Sequence, residues 1–382
     1  MIFDAGVARF AKGGKKRAEN LVRATLSKIN PIYAIFVSHL DYDHVSLVPY
    51  ILKNYKVYHL VVPRFSCEQV ASYLLYFFTQ GAIEGSDFIR IAYPGHFGDG
   101  PENIERPTII YVDPIDSEDR REIVPADLPP LAERPAGARV YEVRSGNQID
   151  IWRLATDCAW AAVPFVQENR KSTALAFWND LVQQYYPCLN NAETRPFFCG
   201  KHNAYEKLRE FIKCALDLDT HKKLKDIYRK HWGNINKDSM VVASFPMRRC
   251  QERFNAMHLL AQLSLCPDYC WTINMHRLFS SPGALYTGDG NAGGLPLQIM
   301  RKYDLIRRSV SSIQVPHHGS VHSWDPEFAA ANEGKFFFAG YGAGNIYGHP
   351  SPLVAREIIR HKGIPYFYSE NHPPVVQRFM LY

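Results

Sequence analysis

The stretch Ser38-His39-Leu40-Asp41-Tyr42-Asp43-His44 carries four metal-competent side chains, His39, Asp41, Asp43 and His44, within six residues. Imidazoles and carboxylates together bind borderline and hard divalent cations, so this density points to a metal site. A polar helix cap needs one such residue and leaves the other three unexplained. Asp43 and His44 are adjacent and would diverge on an extended backbone, whereas a turn into a following helix splays them toward two neighbouring ions. Two divalent ions acidify a shared water and clamp the attacking and leaving oxygens of an in-line displacement, which suits phosphate esters best. Later in the chain stand His317-His318 and His349. The adjacent pair is expected to divide its work: one ring ligates, the other protonates a leaving oxygen or grips a phosphate as imidazolium. His349 follows the glycine-rich run from Gly340 to Gly348 and precedes Pro350, which places it on a loop fit to wall a site. Its plainer alternative is to cap the next helix, Leu353 to Ile359.

These groups need a scaffold. From Ala18 to Ile29, Leu21, Val22, Leu26 and Ile29 recur at helical spacing, and Asn30-Pro31 stops the helix. Ile32 to Val37 reads as a buried strand, with the ligand-rich run directly after it. Val45 to Lys53 then predicts a helix and Val57 to Val62 another strand. This βαβα alternation implies an α/β layered fold with its site at the carboxyl ends of strands. Asp113 to Pro135, rich in Pro and charge, reads as a surface loop, and Arg139 to Leu154 as a hairpin about Ser145-Gly146-Asn147. Between 167 and 235, Leu208, Phe211, Ile212, Leu216, Leu224, Ile227 and Tyr228 keep a helical period, with lysines opposite. That region reads as a helical insertion dividing the core into 1–166 and 236–382. Strand character returns at Ser239 to Phe245, Ala284 to Tyr286, Ser312 to Val315 and Phe336 to Ala339. Tyr73, Phe77, Phe78 and Trp178 are expected to pack a core, and Lys222, Lys223 and Lys225 to form a solvated face.

With 382 residues, 46% hydrophobic and 21% charged, the chain is neither disordered nor fibrous. No apolar run approaches the ~18–20 residues of a membrane span. The N-terminus becomes basic only at Lys12 to Arg17, the reverse of a secretory signal, so a cytoplasmic location is expected. Eight cysteines without a CxxC pair read as reduced, and Cys266 and Cys270 lack companions to complete a metal site. The net charge of +6 permits an anionic substrate without demanding one.

His39-Leu40-Asp41-Tyr42-Asp43-His44 resembles the HxHxDH motif of metallo-β-lactamase-fold hydrolases, in a variant with Asp at the second ligand position. Other segments agree in order. Phe3-Asp4-Ala5-Gly6 is similar to the strand-ending Asp-x-Gly that precedes the motif. Tyr286-Thr287-Gly288-Asp289 resembles the strand whose terminal Asp bridges both metals. Val315-Pro316-His317-His318-Gly319-Ser320, Asn345-Ile346-Tyr347-Gly348-His349-Pro350 and Asn236-Lys237-Asp238-Ser239 look like segments of the soluble hydrolase domain of ComEC-type competence proteins.

The resemblance implies an αββα four-layer sandwich and two divalent ions, zinc or manganese. His39, Asp41 and one later His would hold the first ion, Asp43 and His44 the second, and Asp289 both; His317, His318 and His349 supply the later ligands. Asp43, His317 and His318 become the expected catalytic residues, and Asp4 orients the ligands by hydrogen bonding without touching metal. An Asp in place of an imidazole at 41 hardens the site and tilts it toward manganese. The expected activity is that of a phosphodiesterase or nuclease acting on nucleic acid or a nucleotide. Alternatives are a hydrolase of carboxyl esters, thioesters or lactams, and a non-catalytic subunit of a multi-protein system. Two departures stand out. The strand hairpin carrying Gly-x-Gly-Asp that opens the subgroup is missing, so either the start is truncated or the N-terminal sheet edge awaits a protein partner. No Gly-His-Thr loop supplies a further ligand either, and His96 is the nearest substitute.

Overall fold

A computed structural model of the chain describes residues 1–6, 14–27, 31–79, 83–97, 104–115, 123–133, 139–155, 158–167, 171–185, 226–232, 239–247, 283–342, 345 and 347–369. It is a mixed α/β structure of two compact units, each with its own sheet and core.

The first unit comprises Met1–Pro114, Pro135–Glu142 and Glu168–Asp238. Its strands are β1 (Ile2–Phe3), β2 (Ile32–Phe36), β3 (Val57–Pro63) and β4 (Thr108–Asp113), which run parallel in that order. The connections are helical, as parallel pairing requires. Being covered on both faces, β2 and β3 are near-continuous apolar runs. Ile35, Val37, Leu60 and Val62 pack against Val70, Leu74 and Phe77 of the helix Cys67–Thr79. The same core receives Phe177, Trp178 and Leu181 of the helix Lys171–Tyr185, and Ile227 and Trp232 of helical residues 226–232. Trp178 Nε1 donates to the Glu68 carbonyl at 3.0 Å, and Asp180 accepts from Lys230 at 2.6 Å and meets His231 Nε2 at 2.7 Å. The described part of the 167–235 region is therefore core material of this unit. The periodic run from Leu208 to Leu224, the lysines 222, 223 and 225, and Cys266 and Cys270 lie outside the described residues.

Three expectations change. The helix expected from Val45 divides into Tyr42–Val45 and Val48–Asn54, because Pro49 lacks the N–H that would continue a helix and instead starts a new one. Asp43 and His44 thus sit within one helical turn. The segment from Asp113 to Pro135 is not simply a surface loop: it contains β5 (Val124–Pro125), and Leu131 is fully buried. The amides of Ala126, Leu131 and Ala132 donate to Gln148, Asp150 and Ile151, so backbone pairing compensates for the missing apolar period. The turn at Ser145-Gly146 joins β6 (Val140–Arg144) to β7 (Asn147–Ala155), but these do not make a hairpin within one sheet. β6 lies beside β4, whereas β7 lies between β5 and β8 (Cys158–Phe165). Turn chemistry reverses a chain; lateral partners are chosen by burial of the flanking side chains.

The second unit comprises Ile115–Arg134, Val143–Gln167 and Ser239–Tyr382. After β8 come β9 (Val241–Pro246), β10 (Gly283–Tyr286), β11 (Val310–Gln314), β12 (Phe336–Gly340) and β13 (Ile364–Tyr368), in the order β13-β12-β11-β10-β9-β8-β7-β5. β7 to β10 pair antiparallel, and β10 to β13 pair parallel. Register aligns Leu285, Ile313 and Phe337 on one face, where they join Leu295, Ile299, Ile306, Phe328, Val354 and Ile358 from the intervening helices. The carboxyl ends of β10 and β11 carry Asp289 and His317-His318. No described helix is long and apolar enough to cross a membrane.

Candidate metal centre

In the first unit the site begins with one carboxylate. Asp4 follows β1 in the left-handed region, at φ 52°, a backbone that Asp tolerates better than most residues. Its Oδ1 accepts from the Ser38 amide at 2.6 Å, and its Oδ2 accepts from Ser38 Oγ at 2.7 Å and from His44 Nδ1 at 2.9 Å. Ser38 Oγ also lies 2.9 Å from His39 Nδ1. The serine proton goes to the carboxylate, so the hydroxyl oxygen accepts from His39. Both imidazoles are buried, their centroids are 4.1 Å apart, and each is held through Nδ1, which leaves Nε2 as the atom each could offer a cation.

Asp41 sits at the N-cap of the turn Tyr42–Val45 yet makes no capping hydrogen bond. Its Oδ1 is buried without a hydrogen-bond partner, and its Oδ2 lies 3.5 Å from His39 Nε2. Capping therefore does not account for it, and a cation would. Asp43 Oδ2 lies 3.9 Å from His44 Nε2. Gly6 permits this arrangement: a Cβ there would stand 2.3 Å from the carbonyl carbon of Asp43. Ala5 brackets the turn, donating to the His44 carbonyl and accepting from the Leu47 amide. His96 stacks on Tyr93, ring centroids 6.2 Å apart, and burial holds its imidazole below the usual value.

In the second unit Asp289 is buried in the turn after β10. Gln314 Oε1 fixes that turn by accepting from the amides of Thr287 and Gly288 at 3.0 and 3.2 Å, and the His317 amide donates to the Gly288 carbonyl. His317 and His318 both adopt left-handed backbone, φ 49° and 52°, and each brings Nε2 to 3.7 Å from one Asp289 oxygen. His317 Nδ1 meets Ser323 Oγ at 3.0 Å; His318 Nδ1 donates to the Gly340 carbonyl at 2.8 Å. The His349 ring lies 5.6 Å from that of His317 and stacks on Tyr347. Burial first, then His317 and His318, hold its imidazole below the usual value. His349 does not cap the following helix, because Ser351 does, accepting from the Leu353 amide.

Asp and His side chains able to hold a metal ion thus occur in both units, Asp43 and His44 in the first and Asp289 and His318 in the second. The donor set of imidazole and carboxylate is that of divalent transition metals. Sequence reasoning assigned no role to Ser38, Gly6, Gln314 or Ser323. Ser38 and Gly6 had signals, a place next to the ligand run and the glycine of the Asp-x-Gly segment; Gln314 and Ser323 meet their partners through space. Comparison of the chain with protein-family models, curated proteins and solved structures returned no match.

Proposed function

We propose that this chain is a metal-dependent hydrolase of phosphodiesters, built as the four-layer αββα sandwich of the metallo-β-lactamase type. The supporting observation is that three histidines are each anchored through Nδ1: His44 by Asp4, His39 by Ser38 and His318 by the Gly340 carbonyl. Metal-ligating histidines give their second nitrogen to such partners, which set the tautomer and raise ligand basicity.

His39, Asp41, Asp43 and His44 would supply metal ligands from the first unit, and Asp289 and a later histidine from the second. Divalent ions there supply an acidified water and positive charge for an in-line displacement at phosphorus. The protein's own groups supply the rest. Asp4 and Ser38 keep two imidazoles in one orientation, and buried Asp289 attracts cations strongly because little water screens it. Partly exposed His317 and the neighbouring His349 ring offer hydrogen-bonding imidazole, and the net charge of +6 permits an anionic substrate such as nucleic acid or a nucleotide. Asp41 inclines the site toward manganese over zinc.

The test is incubation of purified protein with Mn²⁺ and bis-p-nitrophenyl phosphate, in parallel with nitrocefin and a lactone. Release of p-nitrophenol from the phosphodiester alone is expected. Hydrolysis confined to nitrocefin or the lactone would refute the proposal.

A further inference from the structure

His317 and His318 are consecutive, share left-handed backbone and approach the same carboxylate at the same distance. What separates them is the partner behind each ring. The Gly340 carbonyl accepts and never donates, so His318 carries a proton on Nδ1 and, as a neutral imidazole, turns a lone pair on Nε2 toward Asp289. A lone pair 3.7 Å from a carboxylate oxygen is repulsive unless a cation lies between them. The Ser323 hydroxyl behind His317 can donate as well as accept. With the serine proton given to Nδ1, His317 holds its own proton on Nε2, and an N–H there faces Asp289 Oδ2 favourably.

Ser323 is suited to fix this arrangement. It is 4% exposed, and its backbone is tied at both ends, its amide donating to the Ser320 carbonyl and its carbonyl accepting from the Ala292 amide. The His317 side chain is 30% exposed, so Nε2–H is within reach of a bound molecule.

We infer that the adjacent histidines hold opposite tautomers with opposite duties: His318 ligates metal through a bare Nε2, and His317 donates an Nε2–H hydrogen bond to a phosphoryl oxygen of the substrate. Ser323, by donating to Nδ1, is the positioning residue that holds the His317 tautomer favoured by Asp289. The inference rests on the metallohydrolase reading above and goes further by assigning each ring its task.

Two measurements test it. Long-range ¹H–¹⁵N correlation of metal-free protein at pH 8 should show His318 protonated on Nδ1 and His317 on Nε2; one tautomer for both overturns the inference. Calorimetric titration with Mn²⁺ should show His318→Gln weakened at least about tenfold, while His317→Gln and Ser323→Ala stay within about threefold of wild type. Inorganic phosphate should then bind the manganese-loaded His317→Gln protein about tenfold more weakly, the loss of one hydrogen bond to a charged group. Ser323→Ala should shift the same way, with recovery in Ser323→Thr. Loss of manganese from His317→Gln comparable to that from His318→Gln overturns the assignment. If these results hold but no phosphodiester is cleaved, the division of the histidines stands and the proposed reaction falls.

Discussion

Asp4 accepts three hydrogen bonds with two oxygens, and its single charge orients His44 directly and His39 through Ser38. Asp4→Asn keeps the shape but turns one acceptor into a donor that faces donors. Metal affinity is expected to fall about 10- to 100-fold, measurable by manganese titration against a fluorescent chelator. Asp43→Ala and Asp289→Ala should abolish phosphodiester turnover while far-UV circular dichroism stays at the wild-type level. Turnover retained in both would remove the metal mechanism. At this scale the clustered Asp and His side chains and the hydrogen-bonding part of Asp4 were legible, and the supports from Ser38, Gln314 and Ser323 were not. His39, Asp41, Asp43 and His44 announce themselves because four such side chains in six positions are rare. Serines such as Ser323 occur throughout the chain, and only folding shows which one lies 3.0 Å from an imidazole.

Elements place these residues through close backbone contact. A methyl at Gly6 would collide with the peptide of Asp43, where no flexible side chain can yield. Gly6→Ala should cost about 3 kcal/mol in urea unfolding, the upper end for overpacking, and should release metal. Helix packing in the first unit carries a pH dependence. Lys230 first, and His231 with it, hold the Asp180 carboxyl below its usual value. A carboxyl whose folded pKa is depressed contributes stability above its unfolded pKa of about 3.9, lost as pH falls through the folded value. The urea midpoint should therefore drop on acidification below about pH 4, with a shallower slope in Asp180→Asn. Strands β2 and β3 were readable because buried parallel strands are continuous apolar runs. The division of β6 and β7 between two sheets was not, since a Ser-Gly turn looks alike in both cases. The break before Pro49 is written in the sequence, since proline cannot continue a helix, but the unbroken apolar stretch around it masks the signal.

For the whole molecule, ligand binding is a stability measurement. A metal that binds only the folded chain stabilises it by about 2.7 kcal/mol at a concentration 100 times its dissociation constant. Manganese should raise the melting temperature by a few degrees, and a chelator should reverse the rise. No shift with manganese, zinc or cobalt would count against a resident metal. The α/β class followed from the alternation of strand and helix signals. The contribution of residues 171–185 and 226–232 to the first unit's core did not, since helical periodicity says that a face is buried without saying against what.

At Gly319, φ 85°, a side chain would meet Pro350 at 2.6 Å, and the Gly319 carbonyl accepts from the Ser351 amide. The hinge of the paired imidazoles and the segment bearing His349 are thereby latched edge to edge. Lengthening or shortening the stretch from Tyr341 to Gly348 can be absorbed in that stretch as long as the latch survives. Divergent copies of this chain should accordingly vary freely in loop length there, yet admit no bulk at position 319.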